Sequence, residues 1–149
     1  ADSSADYSFP LSPASSSWLA AMDSEGAAGM GHLRRLLELR PWHTMVPDQD
    51  LIVFGQGTGE DHVQSARAED GSFALAYLPF GHTIVVRMAR ISAGTVDAYW
   101  FDPRKGTFLQ IGRYPNTCAF REFVPPTRGD HEDWVLVLDD AASDYSIWD

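Results

Sequence analysis

From Leu51 to Leu138 apolar residues recur with a period near two, broken at short intervals by Gly, Pro and Asp. Side chains alternate between faces along an extended strand, so this pattern predicts β-structure. Leu51–Phe54 is a short apolar run, and His62–Ala68 alternates weakly. Ser72–Leu78 (SFALAYL) is a strand entered through the turn Glu69-Asp70-Gly71. Thr83–Met88 follows Pro79-Phe80-Gly81. Gly94–Phe101 leads into Asp102-Pro103-Arg104-Lys105-Gly106, a hairpin turn with Gly106 where φ must be positive, and Thr107–Ile111 returns from it. Ala119–Phe123 and Trp134–Leu138 (WVLVL) complete about eight short strands with no helical pattern between them, which predicts a mainly β chain, an antiparallel β-sandwich. Its expected core is Phe73, Leu75, Tyr77, Ile84, Val86, Val96, Ala98, Trp100, Val135 and Val137.

One helix is expected before the strands, over residues 24–40. Ala27, Met30, Leu33 and Leu37 form a narrow apolar stripe, with Arg34, Arg35 and Glu38 off it. Asp23 or Ser24 caps its start, and Pro41 ends it by disfavouring helix at Arg40. Gly26, Gly29 and Gly31 weaken it by up to about 1 kcal/mol each, so it needs tertiary packing or a closely approaching backbone. The chain thus divides into a Ser/Pro-rich lead (1–17), the helix and connector (18–47), a β-domain (48–142) and a short tail (143–149).

Composition narrows the class. With 44% hydrophobic and 21% charged residues, a packed core is within reach without disulfide or metal staples. A net charge of -10 repels phosphate backbones and anionic membranes, which excludes nucleic-acid and membrane partners. No apolar run reaches the ~20 residues that span a bilayer. Cys118 is the single cysteine: it is a small buried hydrophobe or pairs outside the chain. The first residues lack Met and a basic signal region, so the start reads as processed, excised or internal.

Several groups are candidates for chemistry. Alternation in Val96–Phe101 puts Val96, Ala98 and Trp100 on one face and Asp97, Tyr99 and Phe101 on the other. Asp97 favours solvent, which makes Tyr99 and Phe101 exposed rings for stacking on a sugar or peptide, unless a neighbouring domain or loop covers them. The acidic pairs (Glu60-Asp61, Glu69-Asp70, Asp139-Asp140 and the 130–133 group) read as solvated turns and strand ends; adjacent acids do not specify the facing carboxylates of a glycosidase. Asp130, His131, Glu132 and Asp133 match no calcium loop, and Gly55–Gly59 lacks the Lys of a phosphate loop, so no metal or cofactor is expected.

Taken in order, larger pieces carry a family likeness. They are Met30–Glu38 (MGHLRRLLE), Arg40-Pro41-Trp42, Val46–Gln49 (VPDQ), Ala66–Ala74 (ARAEDGSFA), Tyr77-Leu78-Pro79, Trp100–Gly106 (WFDPRKG), Arg121–Pro126 (REFVPP) and Asp133–Asp140 (DWVLVLDD). This ordered set resembles the C-terminal region of apiosidase-like (β/α)-barrel glycoside hydrolases, labelled the putative collagen-binding domain of a collagenase. The resemblance runs from roughly Met22 to Ala142. It implies that the helix closes a catalytic barrel, that the β-domain packs on that barrel as an accessory, and that the catalytic carboxylates lie before Ala1. It carries no catalytic residue onto this chain. Phe80 departs from the small polar residue expected there, and the tail after Ala142 extends past the likeness.

The resemblance and the residues together lead to a non-catalytic accessory domain of a secreted glycoside hydrolase, binding polysaccharide or an extracellular matrix protein such as collagen. Tyr99, Phe101, Phe80 and Tyr114 would supply stacking, and Arg104 orientation. The alternative is a purely structural fragment or processed subunit that braces the upstream barrel. A third reading, an autonomous hydrolase, requires two carboxylates across a cleft, one with a raised pKa.

Overall fold

The computed structural model of the chain describes residues 35–39, 44–55, 57, 62–117, 119–129 and 132–142. The lead, most of the expected helix, Cys118, His131 and the tail lie outside them.

Nine strands are present among the described residues: β1 (Met45–Pro47), β2 (Ile52–Phe54), β3 (Gln64–Ala68), β4 (Phe73–Leu78), β5 (Ile84–Arg87), β6 (Thr95–Asp102), β7 (Thr107–Pro115), β8 (Phe120–Phe123) and β9 (Trp134–Asp140). They form a six-stranded sheet in the order β1-β3-β4-β9-β6-β7 and a three-stranded sheet in the order β2-β5-β8. Every pairing is antiparallel. The antiparallel two-sheet fold is therefore the one expected. β1 is an addition, a short edge strand whose Pro47 is tolerated because an edge leaves backbone N–H groups unpaired. β7 runs on to Pro115, past the expected end at Ile111.

Between the sheets lies one core. Ala74, Ala76 and Leu78 of β4, Val96, Ala98 and Trp100 of β6, and Trp134, Leu136 and Leu138 of β9 face Ile52, Ile84, Val86 and Phe123 of the small sheet. The alanines leave volume for the indoles of Trp100 and Trp134, which meet edge to face with centroids 6.4 Å apart. Each large side chain buried here contributes about 1.5–3 kcal/mol.

The large sheet is apolar on its other face as well. Phe73, Leu75, Tyr77, Phe101, Val135 and Val137 form a second core there, joined by Met45 and by Leu36 and Leu37 of the helical residues 35–38. The expected core residues are all buried, but they split between the two layers: Ile84, Val86, Val96, Ala98 and Trp100 face the small sheet, whereas Phe73, Leu75, Tyr77, Val135 and Val137 face away from it. Of the predicted helical stripe only Leu37 lies among the described residues, and it packs on this outer layer together with Leu36.

Two polar devices fix the connections. Asp102 accepts the backbone N–H of Arg104 (2.9 Å) at its side chain and that of Gly106 (2.7 Å) at its carbonyl, and Gly106 has φ 70°, as the turn requires. Asp48, 8% exposed, accepts Arg67 Nε at 2.8 Å and an Arg90 guanidinium nitrogen at 3.1 Å, tying the start of β2 to β3 and to the turn after β5.

Candidate ligand-binding face

The outer face of the small sheet follows from its register. Ile84 pairs with Phe123 and Val86 with Arg121, while Val85 pairs with Glu122 and Arg87 with Phe120. Ile84, Val86 and Phe123 belong to the core, so Val85, Arg87, Phe120 and Glu122 occupy the opposite face. In β2, Ile52 opposes Val86 but Phe54 opposes Val85, with a register shift between them. In a regular strand Phe54 would join Ile52 in the core; the bulge turns it outward. Gly55 then closes the strand at φ 86°, where an added Cβ would sit 2.4 Å from the Thr83 carbonyl oxygen, and that of Gly55 accepts His82 Nε2 at 2.8 Å.

The result is a face carrying two exposed rings, Phe54 at 64% and Phe120 at 52% exposure, with Val124 at 62% just beyond β8. Phe54 and Phe120 stand on the two edge strands with β5 between them. Two strand spacings and a two-residue offset separate them by about 12 Å. The Arg87 guanidinium lies 5.7 Å from the centre of the Phe120 ring, held there by its Nε donating to the Asp50 carbonyl at 3.1 Å. Glu122 stands on β8 two residues from Phe120, in the row it shares with Val85 and Phe54.

The aromatic residues expected from the sequence lie elsewhere. Phe101 is fully buried in the outer layer of the large sheet, 5.0 Å from Phe108, and Tyr99 is half-buried, edge-on to Phe108 at 6.0 Å. They are not an exposed platform: the large sheet is covered on both faces, and Asp97 tolerates burial because Arg113 binds both its carboxylate oxygens, at 2.6 and 3.1 Å. Tyr114 is partly buried against the core between the sheets, with the Arg121 guanidinium 4.1 Å from its ring centre. Phe80 is partly buried in a loop whose carbonyl accepts the Gly129 N–H at 2.8 Å. The structure does not bring these four side chains together on one surface.

Arg104 is the hub of an acidic corner. Its Nε lies 3.0 Å from Asp102 and 3.3 Å from Asp133, its terminal nitrogen 3.4 Å from Glu132, and its guanidinium stacks over Trp134 at 5.3 Å. Tyr77 donates to Asp133 at 3.2 Å, and Trp134 Nε1 donates to Thr127 Oγ1 at 2.9 Å. The Thr127 hydroxyl and then Arg104 hold the Glu132 carboxyl below its usual range. This arrangement locks the hairpin turn to the start of β9. Asp48, Asp97, Asp102 and Asp133 are each held by arginine, and the shift at Glu132 is opposite to the raised pKa of a general acid.

The exposed pair Phe54 and Phe120 was missed by sequence reasoning. The available signal for Phe120 is the difference between strands: FALAYL and WVLVL read as continuous apolar runs, the mark of burial on both faces, whereas IVVR ends in a charge and FREF holds two charges between its phenylalanines.

Residues 46–139 match the family model described as "Putative collagen-binding domain of a collagenase". No curated protein matches the chain. Among solved structures, a glycoside hydrolase is similar over 79% of this chain at 25% identity and a TM-score of 0.72. A glycoside hydrolase family 5 protein from Bacteroides vulgatus is similar to the same extent, with the same identity and TM-score. The chain spans 26% and 25% of the length of these two chains.

Proposed function

Because the chain belongs to the putative collagen-binding-domain family, we propose that it is a non-catalytic accessory module of a secreted glycoside hydrolase, holding that enzyme on a polysaccharide or a matrix protein. The observation that carries this reading is the proportion of the match: most of this chain is similar to a quarter of each glycoside hydrolase. The remaining three quarters leave room for a catalytic domain, and the arginine-bound carboxylates described above suit a scaffold better than a reaction centre.

A second reading, bracing of that domain, is favoured by the outer layer of the large sheet. Phe73, Leu75, Tyr77, Phe101, Val135 and Val137 pack there with Leu36 and Leu37, which belong to the segment that resembles the closing helix of a barrel. The two roles are compatible, since bracing runs through the helical segment packed on the large sheet and binding through the outer face of the small one.

The test is the size of the native polypeptide carrying this sequence, read by intact mass, with co-sedimentation on fibrillar collagen and insoluble polysaccharides. A species several times heavier than 16.5 kDa that sediments with one of these supports the accessory role. A native species of 16.5 kDa that binds none of them refutes it.

A further inference from the structure

We propose that the outer face of the small sheet binds a neutral polysaccharide, with Phe54 and Phe120 each stacked on a sugar ring and Arg87 and Glu122 engaging the hydroxyls around them. The proposal rests on the accessory-module reading and adds to it the face and the chemistry of the ligand.

Three observations lead there. The first is that Phe54 is exposed by a bulge, a device that re-aims a side chain, where an unbroken strand would have buried it. The second is the chemistry of the rings. Phenylalanine has no polar handle, so an exposed ring offers only an apolar face, and the C–H face of a pyranose matches it. The hydroxyls around such a ring need a donor and an acceptor at its margin. Arg87 stands beside Phe120, its terminal nitrogens without a hydrogen bond to the described residues, and Glu122 shares a strand with Phe120 and a row with Phe54. The separation of about 12 Å is too long for one sugar ring to touch both phenylalanines and lies within the span of a short oligosaccharide.

The third observation is charge. Among the described residues the face carries Arg87 and Glu122, with the exposed Asp50 at its margin, on a chain of net charge -10, which opposes a uronate or sulfated ligand and suits an uncharged one. A proline-rich rod is read by an aromatic-lined groove. Here the rings stand on opposite edge strands of a sheet, with Val85 on the strand between them.

The experiment is co-sedimentation of the 149-residue chain with cellulose, mannan and arabinan, and in parallel with fibrillar collagen. The variants are Phe54→Ala, Phe120→Ala and their combination, with Leu109→Ala, an exposed residue of β7, as control. Thermal melts confirm that each variant is folded. The expected result is retention on at least one neutral polysaccharide, weakened about tenfold by either single substitution and abolished by both, with Leu109→Ala unchanged. Polysaccharide binding untouched by the double substitution, or binding to collagen alone, overturns the proposal and leaves the accessory role standing. Failure to bind any of the four overturns the proposal too, and the accessory role is then decided by the native mass of the polypeptide.

Discussion

Truncation of Phe101 tests whether the outer face of the large sheet is a packed core or an exposed aromatic platform. On an exposed platform, Phe101→Ala would change stability by no more than about 0.5 kcal/mol. In the structure the ring is fully buried in the outer layer of the large sheet and packs against Phe108 with centroids 5.0 Å apart. Removing a buried phenylalanine ring costs about 3–5 kcal/mol, including the cavity it leaves. Against a total stability of about 5–15 kcal/mol, that is a large fraction. For a chain of this size it lowers the melting temperature by about 6–20 °C. Urea titration followed by tryptophan fluorescence is the assay, because Trp100 and Trp134 report on the core between the sheets, across β6 and β9 from the altered site. The midpoint should fall with little change in slope. Phe54→Ala, measured alongside, should stay within about 0.5 kcal/mol because that ring is 64% exposed. A loss below about 1 kcal/mol at Phe101 would refute the claim that the outer face of the large sheet is a packed core.

Three further outcomes are expected. Asp48→Ala removes the acceptor shared by Arg67 and Arg90 and should cost about 1–3 kcal/mol by urea titration, the range for a buried group left unsatisfied, since both arginines retain partial access to water. Gly81→Ala should cost more than the roughly 1–2 kcal/mol of placing a side chain at positive φ, here 66°, because its Cβ would meet the Thr127 carbonyl oxygen at 2.3 Å; calorimetry should show a large drop in melting temperature or no folded protein. The side chain and backbone N–H of Ser72 hold the Asp70 carboxyl below its ordinary 3.8, so its contribution is fully present above pH 3.8 and is lost as the pH falls through the depressed folded value. The stability difference between the native chain and Asp70→Ala, followed by urea titration at a series of pH values, should therefore narrow in acid below 3.8.

The strands were legible because periodicity and turn chemistry act locally. The hairpin at 102–106 is the clearest case: Asp102 and Gly106 each perform the role their residue type predicts. What alternation cannot show is which sheet a strand joins. Phe73, Leu75 and Tyr77 were correctly assigned to burial yet to the wrong layer, because β4 is apolar on both faces and a period of two gives no preference between them. The same ambiguity misplaced Tyr99 and Phe101. Asp97 marks solvent by residue type alone, but Arg113, sixteen residues further on, neutralises it across the β6–β7 pairing. Phe54 was hidden for another reason. Its exposure depends on a one-residue register shift against β5, and nothing within Leu51-Ile52-Val53-Phe54 encodes that. The family likeness reached further than the periodicity, since it depends on an ordered set of short segments and not on the face of any one strand.

The position of β9 governs when this fold can form during synthesis. It is the last strand among the described residues and yet lies near the middle of the large sheet, flanked by β4 and β6. Phe73 pairs with Asp139, and Trp100 with Leu136, so neither neighbour gains its ladder partner on that side until residues 134–140 have left the ribosome. Contacts so distant in sequence close slowly. A nascent chain halted before that point holds two strong strands with open edges, the state most prone to pairing with another chain. The large sheet is therefore completed late, and the interval before β9 emerges is when the edges of β4 and β6 stand open.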